Sequence, residues 1–396
     1  MTLRLHKVTK QIDQLRENAV SRAAQQRKDL PKVEKFFQRA AELDDLSQKA
    51  RLAAEKEKWN GALPTLESIT LMKAVPSVTP APTLVAVDGS QIYPNPHEAS
   101  LICAINIGYF ILRSGTGEVV ADSEPAIEVD EDALAPGGNL ISKTVVDARR
   151  TVEEITVLER LASAERSTNP DAAVFALSDG TLALRIDEKA VAPAERDALQ
   201  KKYFAAIDRL SAAKLPIAGY IARPGRFPVL SLIDLALSSS LDSAVKSSRS
   251  GRSPYQWLDD RLLFGNLLPA GHRSAVFEFA SELNNQYRNR EPNQSVHFFY
   301  LNVGKRYPVI SRVEVPEWVA KQPLLVDLVH ATLIEQCSVT LNDPYPYSLI
   351  RADEEAFVSG EEKKYLEEQM AVALIRSGLR VNRSEKLSHK GRARKH

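Results

Sequence analysis

The 396-residue sequence predicts an α/β protein: a mixed sheet flanked by helices, preceded by a helical arm and followed by a basic tail. Three observations carry this prediction. Beyond residue 84, short apolar runs rich in β-formers alternate with longer amphipathic stretches. Residues 1–60 instead repeat apolar positions at spacings of three and four. Residues 380–396 show no apolar periodicity and carry 7 Lys and Arg against 1 Glu, a composition expected to be disordered when free.

In the arm, Val8, Ile12, Leu15 and Ala19 share one face, and after Pro31 a second stripe runs through Val33, Phe36, Ala40, Leu43 and Leu46. The spacing is coiled-coil-like, and core packing is its simplest use. PSVTPAPT (76–83) cannot continue a helix. The expected division is therefore an arm over 1–75, a body over 84–379 and a tail over 380–396. In the body, LVAVD (84–88) is too short for a helix and reads as a strand ending at Asp-Gly. ASLICAINIGYFIL (99–112) is a long strand, and GTGEVV turns into a third, giving an antiparallel meander. LAPGGN (134–139) is loop and 143–166 a helix. AAVFALSDG (172–180) is a buried strand, again ending in Asp-Gly. A helix over 193–213, the strand PIAGYIARP (216–224) and the apolar helix VLSLIDLAL follow. The serine-rich stretch 239–256 reads as a surface excursion. SVHFFYLNVG (295–304) and YPVISRVEVP (307–316) form paired strands. Helices are expected over 322–337, across Ala352-Asp353, and over 360–377. Trp257, Phe264 and Tyr307 read as core, with stacking on the bases of a displaced strand as the alternative.

Several function classes are excluded. No apolar run approaches the ~20 residues needed to span a bilayer, and the N-terminal stretch does not resemble a signal peptide. Cys103 and Cys337 are isolated in apolar stretches, so they read as buried thiols of a reducing, cytoplasmic compartment. There is no GxxxxGK[ST], no GxGxxG after a strand, no GxSxG and no HExxH. Nucleotide hydrolysis, dinucleotide chemistry, hydrolase-type serine catalysis and zinc peptidase chemistry all lack their devices. The net charge of +1 conceals an excess of basic residues over 1–60, where 14 Lys and Arg face 9 Asp and Glu, and another in the tail. The body between them is acidic. Basic ends suit a polyanion, and an acidic centre suits a divalent cation.

What remains is a set of acids at element ends. Asp88 and Asp179 sit in similar contexts, VAVDGSQ and ALSDGTL. Each Asp-Gly taken singly is a common turn. On adjacent strands ending at one edge, the two carboxylates would reach one cation. Glu153 and Glu159, on the helix between them, are candidates for a third ligand. Oxygen donors without a Cys or His cluster favour Mg²⁺ or Mn²⁺ over zinc, and such sites hydrolyse phosphodiesters. The element order is that of an RNase H-like fold. That fold places acids on the first strand, the first long helix, the fourth strand and a C-terminal helix. Asp88, Glu159, Asp179 and Asp353 occupy the matching positions.

VDGSQI (87–92), LSDGTLALR (177–185), GYIARPG (219–225), SRVEVPEW (311–318) and PYPYSLIRADEEAFVS (344–359) resemble the motifs of the NurA-domain nuclease family. The resemblance spans roughly residues 84–375. It implies an RNase H-like fold, Mn²⁺-dependent nuclease action on DNA with Mg²⁺ as the alternative, and DNA end resection in double-strand break repair. It also implies a homodimer and a HerA-type hexameric ATPase as partner, which suits a chain without a P-loop. Carried over by motif, Asp88 and Asp179 are metal-binding aspartates and Tyr345 is the tyrosine of the C-terminal motif. Glu159 stands for the helical glutamate, with Glu153 or Glu154 as replacements. Eight residues after Tyr345 the family commonly has a histidine; here Asp353 offers an anionic ligand instead. Arg223 and Arg312 are the candidates for contact with the DNA backbone. Two rivals stand beside this reading: a catalytically degenerate member that binds DNA or the ATPase, and an RNase H-like nuclease acting on RNA or junctions.

Deleting residues 384–396 is expected to weaken DNA affinity most at low salt. Binding titrations at several salt concentrations check this, because each lost phosphate contact lowers the salt slope by about one unit.

Overall fold

The computed structural model describes residues 8–57, 59–77, 81–98, 101–249, 253, 255, 257–340 and 343–378. The expected tail over 380–396 lies outside the described residues. The chain divides into two compact units, Met1–Ser77 with Tyr220–Ile334 and Val78–Gly219 with Glu335–His396. Mixed sheet flanked by helices is the observed architecture, as the alternating pattern requires.

The second unit holds most of the motifs. Its strands are β1 (Thr83–Ile92), β2 (Cys103–Arg113), β3 (Glu118–Glu128) and β4 (Val174–Asp179), in the order β4-β1-β2-β3, and the division between the units falls within the next strand, β5 (Ile217–Ile221). The meander β1-β2-β3 is antiparallel and β4 runs parallel to β1. Its main helices are α1 (Lys143–Thr168), α2 (Pro193–Ala212), α3 (Tyr347–Ala356) and α4 (Gly360–Arg376). Leu84, Val85, Ala86 and Val87 are all buried, so both faces of β1 are covered, which is why this strand reads as an unbroken apolar run.

Register shows which helix covers which face. Asp88 lies directly opposite Gly108, and Ser90 opposite Asn106, so these four side-chain positions share one face. Gly89 points to the other. A Cβ at Gly108 would stand 2.2 Å from Ala352 O and from Ala356 N, so α3 lies directly on the Asp88 face. A Cβ at Gly89 would stand 2.6 Å from Glu154 Oε1 and 2.9 Å from Arg150 Cγ, so α1 covers the opposite face. Ser90 Oγ donates to Ala356 O, and Asn106 Nδ2 donates to Glu355 O and Ala356 O at 3.1 and 3.0 Å. These bonds satisfy carbonyls that the end of α3 leaves without intrahelical partners. Gln336 Oε1 accepts from Ser348 N and Oγ at 3.0 and 2.7 Å and holds the start of the same helix.

In the first unit, the helix Thr9–Ala41 continues through Pro31 instead of breaking there. Its C-terminal part packs into the core through Val33, Phe37 and Ala40, and that burial outweighs the backbone bond that proline cannot make. The expected first stripe is not core: Ile12 and Leu15 are exposed, as is Val20. Strands Gly61–Pro64, Phe277–Ala280, Val296–Asn302 and Ile310–Pro316 pair in that order. The first and second of these are too short to show periodicity. The serine-rich excursion contains a helix, Leu241–Arg249, that buries Ala244 and Val245. Of the three aromatics read as core, Phe264 is buried, whereas Trp257 and Tyr307 are exposed. Arg22 lies over the Trp257 ring at 4.3 Å. Cys103 and Cys337 are free and buried. No described helix is long and apolar enough to cross a membrane.

Gly108→Val is expected to destabilise the protein by about 3 kcal/mol, because the obstructing atoms are helix backbone that cannot rotate away. Urea denaturation of both proteins measures it.

Candidate metal centre

Parallel pairing of β1 with β4 runs from Thr83↔Val174 to Val87↔Ser178. The next position on each strand is an aspartate, Asp88 on β1 and Asp179 on β4. Neighbours in parallel register project to the same face, so the two carboxylates stand side by side. Asp88 does not end its strand, as the Asp-Gly pattern suggested. β1 continues to Ile92 against β2, and it is the parallel neighbour that stops. The turn chemistry belongs to Asp179-Gly180, where Gly180 takes φ +95°.

The α3 helix brings Asp353 to the same face. Asp353 stands close enough for its charge to raise the carboxyls of both Asp88 and Asp179. Tyr345 Oη donates to Asp179 Oδ1 at 2.7 Å. Thr340 Oγ1 fixes the approach to that tyrosine, donating to Tyr345 O and accepting from Tyr345 N, each at 3.1 Å. Asp88, Asp179, Tyr345 and Asp353 are therefore brought together by β1, β4 and the segment leading into α3.

Glu159 is not part of this group. Its carboxylate accepts from Arg209 Nε at 2.7 Å and from Ser163 Oγ at 3.0 Å, which turns it toward α2. Glu153 is likewise taken by Lys202 Nζ at 2.6 Å. The helical acid coupled to Asp88 and Asp179 is Glu154, buried against Gly89. One residue along a helix rotates the side chain by about 100°, and both faces of α1 carry glutamates, so sequence spacing did not separate the three. The absence of a side chain at Gly89 is the signal that reveals the close approach. Arg150 supports Glu154: its Nε lies 3.1 Å from Glu154 Oε1, and its Nη1 donates to Gln91 Oε1 at 2.9 Å.

Both arginines chosen for the DNA backbone belong to the first unit. Arg312 is buried, 3.0 Å from Glu314 Oε1 and stacked at 5.1 Å on the Phe279 ring, so it has no face to offer a phosphate. Two residues apart on one strand, Arg312 and Glu314 necessarily share a face. Arg223 is exposed beyond β5.

Electrostatics follow from putting acids together. Burial and then the charge of Asp179 push the Asp88 carboxyl up to about 7, against 3.8 ordinarily. Burial pushes Glu154 up to about 8; Arg150 opposes this, and the charges of Asp88 and Asp179 add to it. Asp179 is also raised, chiefly by the protein packed around it, although its outer edge reaches solvent. The hydrogen bond from Tyr345 pulls Asp179 back. Among the described residues, no group of three or more acidic, His or Cys side chains stands ready-made to hold a metal ion. The chemistry of the donor set nevertheless fits a hard divalent cation: all donors are carboxylate oxygens, and their mutual repulsion adds to burial in raising the pKa values.

In the presence of EDTA, stability is expected to fall as pH rises from 4 to 8. Asp88 has a folded pKa above its unfolded one, so its contribution is complete below about 4 and is lost on passing 7. Asp88→Asn should flatten this dependence and stabilise the metal-free protein at pH 8 by on the order of 2 kcal/mol. Thermal melts of both proteins across this range check the sign.

The family model of the NurA domain matches residues 82–358. No curated protein sequence matches the chain. The crystal structure of the NurA nuclease from Sulfolobus solfataricus is similar over 87% of this chain and 98% of its own, with 12% identity and a TM-score of 0.48. A crystal structure of NurA with manganese is similar over 88% of this chain and 98% of its own, with 12% identity and a TM-score of 0.36. One of NurA bound to dAMP and manganese is similar over 90% of this chain and 98% of its own, with 13% identity and a TM-score of 0.36. Since the domain match takes in β1 to α3 with every carboxylate of the cluster, the chain belongs to the NurA-domain family.

Proposed function

We propose that the chain is a metal-dependent nuclease that hydrolyses DNA phosphodiesters. The observation that carries this reading is the placement of Asp88 and Asp179 at adjacent register positions, with Asp353 near enough for its charge to act on both. Membership of the NurA-domain family supports it. Asp88, Asp179 and Asp353, with Glu154 behind them, would hold Mn²⁺ or Mg²⁺. A bound cation supplies charge neutralisation at the phosphodiester and a more acidic water.

The chain's own residues set the conditions for that chemistry. Tyr345 fixes the orientation of Asp179 through its hydroxyl, and Arg150 does the same for Glu154 from the opposite face of the sheet. Asp353 adds a negative charge where the family resemblance carries an imidazole, so no histidine at this position provides a proton. The reading extends to DNA end resection with a HerA-type ATPase, because the chain has no motif of its own for moving along DNA. In a homodimer or a complex with that ATPase, the exposed Ile12 and Leu15 of the arm would supply apolar contact. Arg223 remains the candidate for a backbone phosphate.

Purified protein with Mn²⁺ and an end-labelled duplex tests the activity. Asp88→Asn and Asp179→Asn should each lower cleavage by roughly 100-fold or more, and Glu154→Gln by about 10-fold. Glu159→Gln should cut within about threefold of wild type. It should lose about 1 kcal/mol of stability with the Arg209 pair. If wild type cuts neither alone nor with the ATPase, the nuclease reading fails and the degenerate, binding-only reading takes its place.

A further inference from the structure

We propose that the first unit carries a pocket for one nucleotide of a single strand, a neutral base with one phosphodiester charge; this rests on the reading that the chain acts on DNA. The pocket is a cavity of about 600 Å³ whose lining includes His297, Ser295, Glu278, Arg288 and Arg51. That volume falls among those of ligand sites, roughly 300–1,000 Å³.

The floor is built by strand register. His297 pairs directly with Glu278 on the neighbouring strand, so both side chains project to one face. His297 is 6% exposed and Glu278 7%. The ring nitrogen Nδ1 of His297 lies 3.3 Å from Ser295 O, which assigns it the proton and leaves Nε2 as an acceptor. Burial lowers the imidazole pKa, the nearby carboxylates of Glu278 and Glu317 oppose that, and Arg288 adds to it. Ser295 is fully buried, and its Oγ has no hydrogen-bond partner. A neutral imidazole acceptor suits the amino edge of a base, and the apolar wall at Pro64, Val276 and Val326 suits its face.

The charges of the lining determine the rest. Glu278 is taken by Arg288 Nε at 2.8 Å, and Glu67 by Arg273 in a two-bond fork at 2.8 and 2.7 Å. Glu317 is paired with Lys321. Among the described residues, that leaves Arg51 as the uncompensated charge, exposed at the lining. A neutral polar body with a single negative charge is the complement. An internucleotide unit has that composition, whereas a free nucleoside monophosphate at neutral pH brings nearly two charges.

Binding of the dinucleotide d(ApA), in EDTA and with the full chain, tests the proposal by calorimetry. Ala320→Trp fills the cavity from its lining, and Arg51→Glu reverses the free charge without touching the buried floor. Each should weaken binding at least fivefold with an unchanged melting temperature, and Arg51→Glu should remove about one unit of salt slope. Asp88→Asn should bind d(ApA) as wild type does, so loss of the pocket and loss of the nuclease reading are separate results. Unaltered affinity in both pocket variants, or no binding to wild type, overturns the pocket.

Discussion

Carboxylates held together against their own repulsion are the constraint on which the second unit depends. Asp88, Asp179, Asp353 and Glu154 come from two strands and two helices, and the protein supplies Arg150 as a nearby cation in partial compensation. Burial and like charge both disfavour the ionised forms. An arrangement this costly persists only where the surrounding structure over-determines it. Here that structure consists of an apolar β1 covered on both faces and two helices pressed against it at glycines.

The two glycines act on different faces for one purpose. Gly108 lets the backbone of α3 lie against the sheet, which sets the height of Asp353 above Asp88. Gly89 leaves room for Glu154 to reach the edge of β1 from below, where β4 has already ended. Ser90, next after Asp88-Gly89, is a strand residue that caps α3. The small and polar residues around the aspartates thus serve helix placement, and helix placement assembles the acids.

The first unit follows another logic. Two of its buried arginines are paired within the protein, Arg273 with Glu67 and Arg312 with Glu314, so they are spent on structure. Arg312 illustrates why a strand-end arginine is ambiguous in sequence. Its neighbour two residues on decides its partner, and burial decides its access. Pro31 and the serine-rich stretch mislead in the same manner, because local propensity yields to the burial of a few apolar side chains, Val33 and Phe37 in one case and Val245 in the other.

Strands, helices and their order were legible because burial on one or both faces writes a period of two, a period near 3.6 or an unbroken apolar run into the chain. Asp88 and Asp179 were legible for a related reason, each directly following such a run, whereas Tyr345 was suggested by the resemblance of its motif and Asp353 by the order of elements. The helical glutamate was not. Glu153, Glu154 and Glu159 are equivalent in composition, and only the packing of α1 on Gly89 selects Glu154, while Lys202 and Arg209 claim the others. A sequence by itself determines which residues can be buried and in what order they come. Which charges then face one another is decided by the rotation and height of each helix on the sheet, a property of three-dimensional contacts between distant residues.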